Sequence, residues 1–355
     1  MLQKMTTFFD RLFQKYTPDP FVFAIFLTFI IFLCGILLTP STAVQMTQYW
    51  GEGFWVLVPF TMQMAMVLIG GYIMATTPLI KKFISFVARH VKTPSQAVLM
   101  TSLVAGIACW INWGFGLVVG GFLCCEMIRS MPRANFRLLV AGAYSGFLVW
   151  HGGISGSIPL TIATPGASNF TAEAIGRLIP ISETIFAPFN IVAVLGIGLL
   201  VPLFNWYMSK KDPLQQETYL KEVKEIEETE ETLILYPAQK IEHSSLFPWT
   251  IAALGVFYLS IKLAKGEFRF DLNGITFMFL FMGIALHGNL KNFLNAFNQG
   301  AARVGPILLQ FPFYAGMMGL MNYSGLVELL SNFFISISTA ETFPLLTFYS
   351  AGILN

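Results

Sequence analysis

Long apolar stretches recur along this chain, most of them of about 18 or more residues, enough to cross a ~30 Å hydrocarbon core as a helix. They occupy 21–38, 54–77, 138–162, 185–207, 246–264, 274–288 and 304–321; the 274–288 run is short and needs its flanks. A water-exposed shell around such segments needs charge. Of 355 residues only 11% are Asp, Glu, Lys or Arg, while 55% are hydrophobic and Phe occurs 35 times. Soluble domains carry about 25% charged residues. Soluble enzymes, secreted disulfide scaffolds, disordered regulators and nucleic-acid binders are excluded together, and the expected fold class is an all-α polytopic membrane protein.

The few charges are unevenly placed. Net charge is +2, yet residues 208–245 hold nine acids and five bases. That segment, with its KEVKEIEETEE run, reads as a solvated cytoplasmic acidic linker between an N-terminal membrane half, 1–207, and a C-terminal half, 246–355. Ahead of the first span, Met5, Phe8, Phe9, Leu12, Phe13 and Tyr16 share a helical face, with Lys4, Arg11 and Lys15 among the polar positions, as in a helix lying in the membrane interface. No small-residue cleavage pattern follows the first apolar run. Cys34, Cys109, Cys124 and Cys125 all sit in apolar stretches without a CxxC pair and read as small core residues.

Residues 96–128 are apolar but broken at Ile111-Asn112-Trp113-Gly114. Arms of 14–16 residues are expected, roughly 21–24 Å of helix, short for a full crossing. Lys81, Lys82, Arg89 and Lys92 precede the stretch and Arg129, Arg133 and Arg137 follow it. Basic residues mark the cytoplasmic side, so both ends belong there and the stretch reads as a re-entrant hairpin with Asn112 and Gly114 near its tip. The same rule puts loop 39–53, without Lys or Arg, outside. It puts the N-terminus, 208–245 and the Lys291–Arg303 stretch inside.

The chain also repeats itself. At an offset of 247, Pro59 falls on Pro306, Gln63 on Gln310 and Leu79 on Leu326. After small gaps Pro94 matches Pro344, and Ala105-Gly106-Ile107 matches Ala351-Gly352-Ile353. The surface segment of copy one, 78–95, holds four Lys or Arg and its counterpart, 325–342, holds none. The two copies are therefore expected to be inverted repeats with discontinuous helices, the architecture of secondary transporters with a site near the bilayer midplane. Copy two ends at Asn355 where copy one enters its break. The second hairpin is expected to lack its tip and returning arm, leaving 54–162 as one half-site and 304–355 as a C-terminally truncated start of another.

Two breaks carry candidate chemistry. Unwound backbone at membrane depth is tolerated only where protein or a wet cavity satisfies it. At the first, Asn112 either caps a helix or offers its amide oxygen to a cation, Na+ being the candidate metal; Trp113 packs, and Gly114 permits the turn. At the second, Gly152, Gly153 and Gly156 either leave backbone N–H groups for an anion or allow close helix packing, and Ser155 or Ser157 can donate to a carboxylate. A helix starting near Ile158, with Pro159 early in it, would aim its positive end there. His151 is a proton carrier or a hydrogen-bonded structural histidine. His90, His243 and His287 are expected at the surface. Gln63 and Gln310 either line the path or serve structure. No Lys or Arg lies mid-span, which suits a substrate with a single carboxylate better than a polyanion.

These residues resemble the bacterial short-chain fatty acid transporter family. The matching stretches are PDPFVFAIFLTF, WGEGFWVLVPFTMQMA, INWGFGLVVGG, HGGISGSIPL, LIPISETIFAPFNI, LLQFPFYAGMM and TFPLLTFYSAGILN, covering nearly the whole chain outside the linker. The resemblance implies a multi-pass carrier of the cytoplasmic (inner) membrane for short monocarboxylates such as butyrate or acetoacetate. It also implies symport with Na+ or H+ and no other cofactor. The expected partners are the substrate, the lipid bilayer and a second copy in a homodimer. Two departures from the family stand out. Its members continue past the SAGILN-like stretch into a second Gly-rich break, and many have glycine at the position of His151.

Two rival readings remain. One is a truncated, inactive transporter fragment. The other is a membrane-embedded hydrolase using His151 with Ser155; it would need a third orienting group, and only Glu126 is near in sequence.

Overall fold

A computed structural model of the chain describes residues 9, 12, 15–166, 169–210 and 236–354. The expected interfacial helix over Met5–Tyr16 and the acidic run at the heart of 208–245 lie largely outside them. Among the described residues all regular structure is helical. In chain order the first helices are α1 Pro20–Leu38, α2 Ala43–Gly53, α3 Val58–Ala75, α4 Pro78–His90, α5 Pro94–Ile111, α6 Trp113–Ser130 and α7 Phe136–Ser145. A 3-10 stretch, Gly146–Gly152, then leads to α8 Ser157–Ala163, α9 Phe170–Ile175, α10 Pro188–Lys210 and α11 Pro237–Glu242. The chain continues as α12 Leu246–Ala264, α13 Leu272–Leu286, α14 Leu290–Ala301, α15 Gly305–Tyr323, α16 Leu326–Ser336 and α17 Phe343–Leu354. Seven helical segments among the described residues are long and apolar enough to cross a membrane, or eight if α14 and α15 count as one broken span. The chain is a multi-pass membrane protein.

The helix starts are written in local sequence. Asp19, Thr42, Thr77, Thr93, Asn135, Asp271 and Asn289 each precede a helix and accept a hydrogen bond from a backbone N–H of its first turn. Thr77-Pro78 and Thr93-Pro94 add proline at the first helical position, where its missing N–H has no partner to lose. Such caps matter more in a bilayer, because hydrocarbon offers an orphan N–H nothing to bond.

The described residues form two compact units, 1–62 with 305–355, and 63–304; α3 begins in the first and continues into the second. In the first unit α2 lies on α15 through glycines. A Cβ on Gly53 would stand 2.7 Å from the Gly319 Cα, and one on Gly316 would stand 2.6 Å from Trp50 Nε1. Phe21 of α1 meets Phe313 of α15 edge to face, with centroids 4.9 Å apart.

In the second unit α5 and α6 form an antiparallel hairpin. A Cβ on Gly116 would meet the Cys109 backbone N at 2.3 Å, and one on Gly120 would meet the Cβ atoms of Ala105 at 3.3 Å and Ala143, on α7, at 3.1 Å. Helix α4 lays Ile84, Val87 and Ala88 into the apolar cluster at the hairpin's base. The second-unit part of α3 is fixed by Tyr72, whose hydroxyl donates to Gln299 Oε1 at 2.8 Å. His287 Nε2 stands 2.9 Å from the Ile73 carbonyl. The expected surface position of His287 is thus corrected: the turn that ends α13 folds it onto α3, and it is only 6% exposed. His90 and His243 are exposed.

Arm length in the hairpin is also corrected. Each arm has 18 residues, about 27 Å of helix at 1.5 Å per residue. Asn112 makes the turn alone, in extended conformation, and its side chain opens α6 immediately, so Trp113 and Gly114 are helical rather than part of a longer break. The tightness of this turn is testable. Gly116→Ala is expected to cost ~2–3 kcal/mol, because the obstructing Cys109 N and Cα atoms belong to the opposite arm's backbone. Gly121→Ala, with nothing within 4 Å, is the neutral control. Thermal unfolding of the purified variants in detergent measures the difference.

Candidate functional site

The hairpin tip and the break after α7 meet. Trp113 N donates to Ser155 Oγ at 2.9 Å and Ile154 N donates to the Trp110 carbonyl at 2.7 Å. These two bonds join segments some forty residues apart in sequence. Asn112 and Ser155 are both fully buried. Helix α3 presses on the tip from another side: a Cβ on Gly71 would stand 2.3 Å from Phe115 N and 2.7 Å from Asn112 Oδ1, and one on Gly114 would stand 2.9 Å from the Leu68 Cα.

Asn112 has both readings open to it, and its geometry separates them. Oδ1 accepts from Phe115 N at 2.9 Å, capping α6. That bond fixes which end of the amide is oxygen and leaves Nδ2 buried without a partner. Trp113 Nε1 is a second buried donor without a partner at the same turn. Ser155 accepts through Oγ and keeps its own proton to donate. The tip is therefore rich in neutral donors.

The glycines of the second break serve close approach. A Cβ on Gly153 would meet the Trp110 carbonyl oxygen at 2.3 Å, one on Gly156 the His151 carbonyl oxygen at 2.4 Å, and one on Gly152 Val194 Cγ2 at 2.5 Å. Gly153 N donates to Trp150 O and Gly156 N to Gly153 O, both at 3.0 Å. These two N–H groups are engaged within the turn itself, so the expectation of bare backbone donors is corrected: the loop is too tight to leave them unpaired. Ser157 opens α8 and is buried. His151 is exposed, with its ring 3.8 Å from that of Trp150. Beside the tip, Trp113 and Trp150 stand 5.8 Å apart between centroids, and Phe147 stacks on Trp150 at 4.8 Å. A cluster of neutral donors thus adjoins an aromatic wall.

A family model described as "Short chain fatty acid transporter" matches residues 1–355. A relative from Haemophilus influenzae, named "Putative short-chain fatty acid transporter", is 38% identical over 369 residues, which cover all of this chain and 81% of its own. A relative of the same name from Escherichia coli K12 is 36% identical over 365 residues, covering all of this chain and 80% of its own. This chain belongs to the short-chain fatty acid transporter family. No solved structure matches it.

The remaining candidates of this family member fall elsewhere. Gln63 Nε2 donates to Asn273 Oδ1 at 3.0 Å, within the second unit. Gln310 lies in the first unit and accepts from the Tyr314 hydroxyl at 3.4 Å. Glu126 sits at the hairpin's base, taking a hydrogen bond from Ser85 at 3.1 Å and pairing with Arg129 at 3.5 Å. It is thirteen residues along α6 from Trp113, about 20 Å of helix, so it does not orient His151 or Ser155. Two residues were missed from sequence. Asn190 Nδ2 donates to the Gly152 and Ile185 carbonyls at 3.0 and 2.7 Å, fastening the second break. Asn205 Nδ2 donates to Ser102 and Ser145 Oγ at 3.1 and 2.8 Å. The signal was available: both are isolated amides in an otherwise apolar span, where polar groups are costly unless used.

Proposed function

We propose that the chain carries short monocarboxylates, of the butyrate and acetoacetate type, across the cytoplasmic membrane by symport with Na+ or H+. The carboxylate sits at the hairpin tip against Asn112, Trp113 and Ser155, and the alkyl group faces the Trp113–Phe147–Trp150 wall. The observation that carries this reading is the pair of buried, unpartnered donors, Asn112 Nδ2 and Trp113 Nε1. Leaving a buried donor unmet costs ~1–3 kcal/mol, a cost a bound carboxylate would remove. The tip and break contain no Lys or Arg from 93 to 128 or from 138 to 176, so neutral donors and helix ends hold one carboxylate and not two. His151, Gly152, Gly153, Gly156 and Ser157 shape the second side of the cradle. Asn112 Oδ1 already serves as a cap, which leaves it one lone pair for a coupling cation.

On this reading the two repeats are inverted and give alternating access to this site. Helices α1 to α5 correspond in order to α13 to α17. The correspondence now extends back to α2 and α14, whose starts, Ala43 and Leu290, differ by the same 247 residues. The contacts repeat with the partners exchanged: Gly53 of α2 packs on Gly319 of α15, and Gly300 of α14 packs on Tyr72 of α3. Each number in the second pair is displaced by 247 from its equivalent in the first. On this reading the N-terminus is cytoplasmic, 1–207 and 246–355 are the two membrane halves, and 208–245 links them.

Uptake of labelled C2–C6 acids into membrane vesicles tests the function. Short monocarboxylates are expected to enter and to compete with one another, while the dicarboxylate succinate competes at least about tenfold less well, having a second charge with no cationic partner. An imposed Na+ or H+ gradient is expected to drive accumulation. Equal competition by succinate would overturn the substrate class, and accumulation indifferent to both gradients would overturn symport.

A further inference from the structure

Helix α4 has three faces where an ordinary amphipathic helix has two. At about 100° per residue, Ile80, Ile84, Val87 and Ala88 share the face turned to the hairpin's base, where Ile84, Val87 and Ala88 are buried. Leu79, Phe83 and Phe86 form a second stripe and are 59%, 47% and 59% exposed. Lys81, Lys82 and Arg89 occupy the third, also exposed, with Lys92 just beyond the helix end. Ala134, in the turn after α6, packs into the same apolar cluster as α4. That turn adds exposed Arg133, and Arg137 follows on the first turn of α7. The nearby acid, Glu126, is engaged by Ser85 and Arg129.

An exposed apolar stripe with cations beside it is the pattern by which a helix at a membrane interface binds an anionic lipid surface. The carrier proposed above does not require this. At the corresponding place, α16 has no Lys or Arg and carries Glu328 in its first turn. The basic face is therefore particular to α4. We propose that α4, with Arg133 and Arg137, binds the headgroups of anionic phospholipids, Leu79, Phe83 and Phe86 seating among their acyl chains. Bound lipid then anchors the base of the hairpin whose tip is Asn112. The link is short: the buried face of α4 packs directly on α6, and Ser85 Oγ donates to Glu126 of α6 at 3.1 Å.

The test uses the full chain in nanodiscs containing equal amounts of phosphatidylglycerol and phosphatidylcholine. It is followed by detergent extraction and mass measurement of the lipids retained. Each basic residue near an anionic surface contributes about fivefold in affinity, so phosphatidylglycerol is expected to be retained over phosphatidylcholine by at least about tenfold, less at high salt. The variant Lys82→Gln/Arg89→Gln/Lys92→Gln/Arg133→Gln is expected to lose that preference. Lys262→Gln/Lys265→Gln/Arg269→Gln, which removes exposed or half-buried charge elsewhere, is expected to keep it. An unchanged unfolding temperature in neutral detergent shows that the first variant is folded. Retention without preference in the unaltered protein, or full preference in the first variant, overturns the proposal. The readout is lipid rather than uptake, so its failure would leave the carboxylate reading standing, and the reverse holds equally.

Discussion

Butyrate uptake is expected to fall by roughly 100-fold or more in Asn112→Ala/Ser155→Ala, while the protein still inserts in the membrane. Hydrogen bonds to a charged group contribute ~1.5–3 kcal/mol each, and two are removed here. Folding suffers far less. Asn112→Ala loses the cap on Phe115 N, worth ~1 kcal/mol, but also removes the unpartnered Nδ2, which relieves a penalty of ~1–3 kcal/mol. Ser155→Ala leaves Trp113 N without its acceptor, a cost of ~1–3 kcal/mol, within the ~5–15 kcal/mol available to a typical fold. Asn112→Ser separates the two roles of the residue: serine keeps a helix cap but lacks the amide donors. It is expected to retain the unfolding temperature and lose most uptake. Unimpaired uptake by the double variant would remove the tip as the substrate site.

What the sequence made legible, and what it did not, follows the range of the interactions. The spans were readable because length and apolarity decide membrane crossing locally. The turn between α5 and α6 was readable from the break at Asn112 in a long apolar run. Its arms came out too short because the sequence does not reveal that one asparagine can both end α5 and start α6. The meeting of Trp113 with Ser155 was not readable, since nothing local specifies a pair 42 residues apart. The same limit hid His287 beneath α3 and left the glycines open to two uses. A glycine in a sequence does not say whether the space it spares is for a ligand or for a neighbour; at Gly153 the neighbour is the Trp110 carbonyl.

Four single cysteines are expected to label from opposite sides of the membrane in crossed pairs. Helices α2 and α14 are equivalent in the proposed repeat. Loop 39–53, which contains α2, has no Lys or Arg, whereas α14 and its flank carry Lys291 and Arg303. Between α4 and α16 the order is reversed, with four bases in 78–95 and none in 325–342. One span, α3, separates α2 from α4, and one span, α15, separates α14 from α16, so each pair must straddle the membrane. Translocating Lys or Arg is strongly disfavoured, so α4 and α14 are expected inside and α2 and α16 outside. In a background with Cys34, Cys109, Cys124 and Cys125 replaced by alanine, Gln48→Cys and Asn332→Cys, both at exposed positions, should react with an impermeant maleimide on intact cells. Lys82→Cys and Asn295→Cys, also exposed, should react only after permeabilisation. A parallel arrangement would instead pair Gln48→Cys with Asn295→Cys. That outcome would abolish the inversion and with it the alternating access on which the proposed transport depends, because two parallel copies cannot offer one site to opposite sides by exchanging conformations.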